Sequence, residues 1–280
     1  MTFFLEKLRK LFKSIGKLEF AIVDKLIFLK NSTNKFEISD NYFDDIESRI
    51  LKKKFSPKKL VIVVCFFYNN KKIINLKKTI NQISSYKFKK ELIIITNNID
   101  TQQRKKLKSV IDRRIKNFNI YEVKDAPDSN ILPWYSINIM KNKYKNKTNT
   151  HFMFLEDDIL VSNLNIFYWI YFRVILKKYK LVPGFLRYEK NGKKYFSVDN
   201  PQKMSLKKNP HIFSYNRKNG FINSKFPYNA MYFMDRELMK QYLKSNAIKF
   251  DFAFHNKAMN SIYPIKEQLN VAYAYDNVPK

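Results

Sequence analysis

Three carboxylates stand side by side in the stretch THFMFLEDDILVSN, at Glu156, Asp157 and Asp158. Adjacent carboxylates repel one another, so each favours a nearby cation or a raised pKa. Their oxygens are hard ligands that suit Mg²⁺ or Mn²⁺, and Mg²⁺ in proteins is commonly held together with substrate phosphates. The triplet therefore predicts a metal site that joins the protein to a phosphorylated ligand. The alternative is a surface turn whose acids pair with lysines, which the apolar runs on both sides disfavour.

The acids follow a regular alternation of apolar strands and amphipathic helices. A continuous apolar run predicts a buried strand, and apolar residues at spacings of three and four predict a helix. The expected strands are 59–68, 91–98, 117–123 and 150–158, and the expected helices are 71–86, 100–114 and 133–144. Asp100 is suited to cap the second helix. This alternation predicts βαβ units, a mostly parallel central sheet and helices on both of its faces.

Polar residues stand where the predicted strands end. Besides the acids they are Tyr68, Asn69, Asn97 and Asn98. Ligands of open α/β sheets bind beyond the carboxyl ends of the strands, so we expect a ligand site at this edge. Side-chain alternation along the last strand predicts that Glu156 and Asp158 share a face, while Asp157 points away or leaves the strand.

The second half of the chain continues the mixture of helices and strands. A strongly apolar helix is expected at 163–179, and a strand pair with a turn at Asn191-Gly192 is expected within 181–200. Residues 228–243 are expected to form a strand that runs into a helix with Asp235 at its N-cap. A final helical segment opens near 249.

Composition narrows the class of protein. The chain has 280 residues, 45% of them hydrophobic, which indicates a folded chain with ample material for one large domain. It has only 4 glycines and neither GxGxxG nor GxxxxGK[ST], which argues against Rossmann dehydrogenases and P-loop enzymes. The single cysteine, Cys65, rules out a disulfide framework and a Cys-based zinc site and is expected to be buried. The net charge of +30 attracts anions, although scattered surface lysines account for it equally well.

The N-terminal segment differs from the rest. Residues 3–20 place apolar residues at helical spacing with lysines on the opposite side. A basic amphipathic helix can lie on an anionic membrane, or it can pack against the domain. No run reaches the roughly 18 to 20 apolar residues of a membrane span, and charges interrupt any secretory signal. We therefore expect a basic helical extension and linker at 1–57 and one α/β domain at 58–280.

Residues 59 to about 275 resemble the glycosyltransferases of the GT-A fold. In that family a nucleotide-binding βαβ half ends in a short acidic DxD motif, which holds a divalent cation against the diphosphate of a nucleotide-sugar. FLEDDIL stands in the position of that motif and is similar to the EDD variants of fringe-like galactosyl- or N-acetylglucosaminyltransferases. The resemblance implies a GT-A (Rossmann-like) fold and Mn²⁺ or Mg²⁺ as the cofactor.

The same resemblance assigns roles to the strand-end residues. Asp158 would be the direct metal ligand. Glu156 and Asp157 would contact the metal, its waters or the sugar and ribose. The residues that would join them in binding the donor are Tyr68, Asn69, Asn97 and Asn98.

The resemblance continues downstream of the acids. YNAMYFMDREL is similar to the fringe-like strand-to-helix segment beside the acceptor site, and FDFAFHNKAM takes the place of the following acidic segment. There an Asp serves as the general base, which maps to Asp251. His255 lies four residues later on the same helix face and would be a further ligand for metal or pyrophosphate. Asp235 and Glu237 are acidic alternatives for the base, although Asp235 is better explained as a helix cap.

Two departures from the family pattern concern the base. The family usually has two acids together where this chain has Asp251 alone. Asn229 and Ala230 stand where glycines are common. The identity of the base, and with it the inverting stereochemistry, therefore stays open.

These observations together predict a metal-dependent glycosyltransferase of the hexosyltransferase type. It would move a sugar from a nucleotide-sugar donor to a glycan or lipid-linked acceptor in bacterial surface polysaccharide synthesis. It would act in the cytoplasm, either free or peripheral on the inner membrane, with no nucleic acid partner. One alternative is a metal-dependent nuclease or phosphoryl-transfer enzyme acting on nucleic acid, because basic charge plus a carboxylate cluster fits two-metal chemistry. Another is a non-catalytic membrane-surface protein.

Overall fold

The computed structural model describes most of the chain after residue 55. The described residues are 56–124, 126, 128–185, 187–191, 194–197, 212–214, 220–222, 230–256 and 264–280. The predicted helix at 3–20 and nearly all of the predicted extension at 1–57 lie outside the described residues. The chain divides into two compact units, one made of residues 41–185 and 227–280 and the other of residues 1–40 and 186–226.

The described residues form nine strands. They are β1 (Lys59–Cys65), β2 (Lys89–Asn97), β3 (Phe118–Val123), β4 (His151–Glu156), β5 (Tyr188–Asn191), β6 (Lys194–Ser197), β7 (Ile212–Ser214), β8 (Gly220–Ile222) and β9 (Met231–Asp235). In the smaller unit, β5 pairs with β6 and β7 pairs with β8, both antiparallel. The first of these pairs confirms the predicted strand pair within 181–200.

A five-stranded sheet forms the centre of the larger unit, in the order β3-β2-β1-β4-β9. Strands β1, β2, β3 and β4 are parallel to one another, and β9 pairs antiparallel with β4. Leu60 to Val64 in the central strand β1 are 0% exposed, which explains why that strand is an uninterrupted apolar run. The predicted α/β class, with a mostly parallel central sheet flanked by helices, is confirmed.

Seven α-helices are described. They are α1 (Ile73–Ser84), α2 (Thr101–Ser109), α3 (Ser136–Lys145), α4 (Asn163–Leu176), α5 (Arg236–Lys244), α6 (Phe250–His255) and α7 (Ile265–Tyr275). The predicted helix at 133–144 opens instead with a 3-10 turn at Leu132–Tyr135, and its α-helical part begins at Ser136. Pro133 lies in that turn, where its missing backbone N–H does no harm.

The helices cover both faces of the sheet. Trp169 of α4 packs edge-on against Phe233 of β9, with ring centroids 4.8 Å apart. Tyr232, the residue before Phe233, points to the opposite face of the sheet. Its ring centroid lies 5.7 Å from that of Tyr242 of α5, and its ring stacks on that of Phe154 of β4 at 5.4 Å.

Side-chain caps fix where two of the predicted helices begin. The carboxylate of Asp100 accepts a hydrogen bond from the backbone N–H of Gln103 at 2.7 Å, and the Gln103 side chain accepts one from the backbone N–H of Asp100 at 3.1 Å. This is a capping box at the start of α2. Asp235 caps α5 by accepting from the backbone N–H of Leu238 at 2.7 Å. Both predicted caps are confirmed.

Candidate functional site

The three adjacent acids lie at the carboxyl edge of the sheet, but not all within a strand. β4 ends at Glu156, and Asp157 and Asp158 form the turn that follows, called here the acid turn. The backbone N–H of Ile159 closes this turn on the carbonyl of Glu156 at 3.2 Å. Asp157 therefore leaves the strand, which is one of the two outcomes predicted for it. Because the strand ends at Glu156, strand alternation does not place Asp158 on the same face as Glu156.

A buried hydrogen bond from helix α1 stabilises the backbone of the acid turn. The hydroxyl of Thr79, which is 1% exposed, donates a hydrogen bond to the backbone carbonyl of Asp157 at 2.8 Å. A second contact lies seven residues further along the chain, where the buried hydroxyl of Tyr86 donates to the carbonyl of Val161 at 2.6 Å. Two buried hydroxyls thus hold the backbone at Asp157 and at Val161, on either side of Asp158.

The acids are crowded and only partly compensated by nearby cations. Burial, followed by the charge of Asp158, raises the pKa of Asp157 from 3.8 to about 6. Lys72, directly before α1, and Lys266, in the first turn of α7, act in the opposite direction on that pKa. A carboxylate with a raised pKa is one whose charge is not fully balanced, so a bound cation would be favoured here.

The pKa of Cys65, on the neighbouring strand β1, is shifted by the same acids. Cys65 pairs in register with Glu156, is 7% exposed and has a pKa raised well above its ordinary value, first by burial and then by Glu156 and Asp157. Lys266 again lowers this pKa. The first turn of α7 therefore lies close to the acid turn, although about a hundred residues separate them in sequence.

The ends of β1 and β2 meet as predicted. The backbone N–H of Tyr68 donates to the side-chain oxygen of Asn97 at 2.6 Å, and the Asn97 amide donates to the carbonyl of Asn98 at 3.2 Å. Asn98 is exposed at this edge. Asn97 thus ties the two strand ends together and leaves Asn98 available to a ligand.

The loop after β1 is ordered by two asparagines. The side-chain oxygen of Asn69 accepts the backbone N–H of Lys71 at 2.8 Å. That of Asn70 accepts from the Tyr68 hydroxyl and from Lys106, each at 3.0 Å. Asn69 thereby gains a local structural role, and its predicted contact with a donor stays a prediction.

Trp134 links the two C-terminal elements that carry the remaining predicted residues. Its indole N–H donates to the carbonyl of Ile265 at the start of α7 at 3.0 Å, and its ring packs edge-on against Phe250 of α6 at 5.2 Å. Asp251 is the next residue of α6 and has an exposed side chain, as has His255 one turn later. The structure thus carries α6 to the same end of α7 as Lys266, and the roles of Asp251 and His255 stay predictions.

The two acidic alternatives for the base are engaged elsewhere. Asp235 pairs in register with His151, at the opposite end of β4 from Glu156, which is about 17 Å away along the strand. Its carboxylate caps α5 and accepts a hydrogen bond from the buried Arg173 at 2.9 Å. Glu237 forms an ion pair with Lys177. Both acids therefore belong to the structural framework.

No group of three or more His, Cys, Asp or Glu side chains among the described residues has the spacing of a complete metal site. A cation at the acid turn would therefore complete its coordination with a bound ligand or water, as Mg²⁺ commonly does. The assignment of Asp158, Glu156 and His255 as metal ligands stays a prediction.

Sequence reasoning missed three residues of this site. Lys72 had a local signal, because it follows the carboxyl end of β1 and precedes a helix. Thr79 and Lys266 had none, since each reaches the acid turn from an element distant in sequence. Only the assembled sheet reveals them.

Comparisons with known proteins add little. No family model matches the chain, and no curated protein matches it either. Among solved structures, S. aureus TarS 1-349 matches with a TM-score of 0.30 and 10% identity, over 43% of this chain and 32% of that one. A 4-diphosphocytidyl-2C-methyl-D-erythritol synthase from Anaerococcus prevotii matches with a TM-score of 0.31 and 11% identity, over 78% of this chain and 96% of that one. The chain thus spans about a third of the TarS fragment.

Likeness at these TM-scores carries no argument about function. The fold assignment rests on the strand order and on the parallel pairing of the sheet itself.

Proposed function

We propose that this chain is a metal-dependent glycosyltransferase that uses a nucleotide-sugar donor. The observation that carries the proposal is the acid turn, which follows a central strand at the carboxyl edge of the sheet and is flanked by Lys72 and Lys266. Acids beside lysines suit a ligand that brings both a divalent cation and phosphates. Ligands of open α/β sheets bind at this edge.

The residues of the acid turn fit a hard divalent cation. Glu156, Asp157 and Asp158 supply only oxygen ligands, and the pKa of Asp157 is raised by its burial and by the charge of Asp158. Mn²⁺ or Mg²⁺ would be held by Asp158 with Glu156 beside it, and His255 would add a ligand if α6 closes on the site. A bound cation would act as a Lewis acid that neutralises the departing diphosphate.

The chain's own cations would hold the donor phosphates. Lys72 and Lys266 come from different elements and act on the same carboxylate, so they flank the acid turn. Charge-assisted hydrogen bonds from lysine to phosphate are among the stronger polar contacts in proteins. Tyr68, Asn97 and Asn98 would contact the nucleoside part of the donor beside the acids.

Asp251 would act as the general base on the acceptor. Its carboxylate is exposed, so it is accessible to a hydroxyl group of an incoming acceptor. It would remove the proton from that hydroxyl as the hydroxyl oxygen attacks the anomeric carbon, while the bond from that carbon to the diphosphate breaks. This is the inverting scheme. The acceptor would be a glycan or lipid-linked molecule in bacterial surface polysaccharide synthesis at the cytoplasmic face of the membrane.

Thermal unfolding with ligands tests the proposal directly. The full chain is melted with Mn²⁺ alone and with Mn²⁺ plus UDP, GDP or CMP, and each nucleotide is repeated with EDTA. A ligand at 100 times its Kd stabilises a protein by about 2.7 kcal/mol, so a shift with one nucleotide that disappears in EDTA is expected. A shift with oligonucleotides alone would favour the nuclease alternative and overturn the proposal.

The Asp158→Asn variant localises that effect. Its melting temperature without ligand should match the wild type, and its metal-dependent shift should be lost. Glu237→Gln is the matched control, since Glu237 pairs with Lys177 outside the site. A retained shift in Asp158→Asn would remove Asp158 as the metal ligand.

A further inference from the structure

Helix α4 carries apolar side chains on its outer side as well as on the side that faces the sheet. Its inner face carries Ile166, Trp169 and Leu176, all of which are buried, and it packs against β9 through Trp169. An amphipathic surface helix would carry polar residues on the opposite face. The outer face of α4 does not follow that rule.

The outer face continues the apolar surface into solvent. At 100° per residue one side of the helix carries Leu164, Phe167, Ile170, Tyr171 and Val174, and Leu160 stands just before the helix begins. Leu164, Phe167, Ile170 and Tyr171 are half-buried, Val174 is 66% exposed, and Leu160, just before the helix, is 56% exposed. A row of partly exposed apolar side chains along the outer side of a helix is typical of an interaction site. We call it the α4 outer face.

Lysines stand at both ends of the α4 outer face. Lys178 and Lys180 are exposed just beyond its C-terminal end, where Lys178 lies 4.8 Å from the Tyr179 ring centroid. At the other end, Phe88 packs against Phe167 with ring centroids 6.4 Å apart, and the exposed Lys87 directly precedes Phe88. Apolar surface between cationic ends matches a membrane interface that carries anionic headgroups.

We propose that the α4 outer face docks on the surface of an anionic lipid membrane. The helix would lie in the plane of the interface, with Leu160 and Val174 inserted and the lysines at the headgroups. It would not cross the bilayer, since its 14 residues span about 21 Å. No helix within the described residues is long and apolar enough to span a membrane.

Membrane docking through this face has a consequence for the site. Leu160 is two residues from Asp158, so insertion of Leu160 brings the acid turn to the edge of the membrane. In this respect the inference rests on the proposed function, and it selects a lipid-carried acceptor over a free glycan. The docking itself stands on the surface alone, and vesicle binding and nucleotide binding are measured separately.

An environment-sensitive dye tests whether the α4 outer face is the part of the protein that contacts the membrane. Cys65 is buried, so a single exposed cysteine can be labelled selectively in the full chain. Val174→Cys is labelled with NBD and mixed with vesicles of phosphatidylcholine with and without phosphatidylglycerol. The matched control is Tyr121→Cys, because Tyr121 is 45% exposed on β3 at the far edge of the sheet from β9. We expect a blue shift and a several-fold rise in emission for position 174 with anionic vesicles only.

Cosedimentation of an acidic variant supplies the second measurement. Leu160→Glu with Val174→Glu should lower binding to anionic vesicles by at least about tenfold, and Tyr121→Glu should leave it unchanged. Equal binding of the double variant, or no emission change at position 174, overturns the proposal.

Two other occupants of the face would be recognised in the same experiments. Emission that rises with protein concentration in the absence of vesicles would indicate a second copy of the chain. Emission that is already blue-shifted, and insensitive to vesicles, would indicate cover by another segment of the chain. Either result contradicts membrane docking.

Discussion

The hydroxyl of Thr79 donates a hydrogen bond to the backbone carbonyl of Asp157 at 2.8 Å, and it does so from a position that is 1% exposed. The contact joins helix α1 to the acid turn across 78 residues of sequence. A buried hydroxyl in such a place fixes the backbone from which two candidate ligand side chains project. Thr79 is therefore a positioning residue for the candidate site.

Replacing Thr79 by valine tests that role. Valine keeps the shape but removes the hydroxyl, so the free energy of unfolding should fall by about 1 to 2 kcal/mol. Loosening a group that orients metal ligands typically costs at least about tenfold in affinity, so Mn²⁺-dependent nucleotide binding should weaken by about that factor. Urea denaturation and titration calorimetry measure the two effects. Thr79→Ser keeps the hydroxyl and should bind like the wild type; equal loss in both variants would assign Thr79 to packing alone.

Asp157→Asn should stabilise the protein without ligand, and the gain should depend on pH. The pKa of Asp157 is raised from 3.8 to about 6 in the folded state, so the folded state binds the extra proton between these values. Stability therefore falls as the pH rises from about 4 to about 6, and the penalty persists above that range. At pH 7.5 the variant should be more stable by about 1 to 2 kcal/mol, after a discount for partial solvent screening.

Denaturation at two pH values checks the prediction for Asp157. The advantage of Asp157→Asn should be present at pH 7.5 and absent at pH 4, where both proteins are neutral at this position. The same proton competes with a cation, so Mn²⁺ affinity of the wild type should fall below pH 6. A stability gain that does not change with pH would show that burial of the polar side chain, and not its charge, destabilises the wild-type protein.

Lys266→Gln should weaken binding of nucleoside diphosphates more than binding of nucleosides. Lys266 lies in the first turn of α7 and lowers the pKa of both Asp157 and Cys65, so its charge acts at the acid turn. Loss of one charge-assisted contact with phosphate should raise the Kd for UDP, or whichever nucleotide binds, by about tenfold. Lys108→Gln, on the exposed side of α2, is the matched control. A proportional loss for uridine would contradict a role at the phosphates.

The sequence predicted the sheet and the edge that carries the candidate site because both follow from local pattern. The apolar runs of β1, β2 and β4 are long enough to identify buried strands, and their alternation with helices implies parallel pairing. Polar residues directly after such runs must then lie at one edge. Tyr68 and Asn97 lie at this edge as predicted, and a hydrogen bond joins them there.

The details of the site could not be predicted from local pattern. Where β4 ends depends on a carbonyl of Ala230, which accepts the backbone N–H of Glu156 at 3.1 Å, and on the hydroxyl of Thr79. The approach of Lys266 depends on Trp134, which anchors the start of α7. Each of these contacts joins elements that only the completed fold brings together.

Arg173 should prove to be a structural partner of Asp235 and not part of the site. The pair is made at 2.9 Å, and Arg173 is 4% exposed. Arg173→Met leaves Asp235 without its charge partner and should lower the free energy of unfolding by about 3 kcal/mol, as is typical when a buried ion pair is broken. Nucleotide binding measured below the melting transition should be unchanged. Loss of binding at full folding would return Asp235 to the candidate bases.

Ala230 stores backbone strain beside the acid turn. It has a φ of 54°, in the left-handed region that alanine rarely adopts, and its side chain is 0% exposed. That conformation costs a residue with a Cβ about 1 to 2 kcal/mol, and glycine avoids the cost while losing more freedom on folding. Ala230→Gly should therefore raise the free energy of unfolding by about 0.5 to 1 kcal/mol. Ala230→Val should lower it by more, since a β-branched residue at positive φ is an outlier.

A second alanine separates this strain from the general effect of glycine. Ala272 is equally buried but lies inside α7, where glycine should cost about 1 kcal/mol. Urea denaturation of the two glycine variants should therefore give changes of opposite sign. A loss of stability in both would mean that Ala230 is not strained. A gain at Ala230 with unchanged Mn²⁺-dependent nucleotide binding would show that the carbonyl contact to Glu156 survives when the strain is relieved.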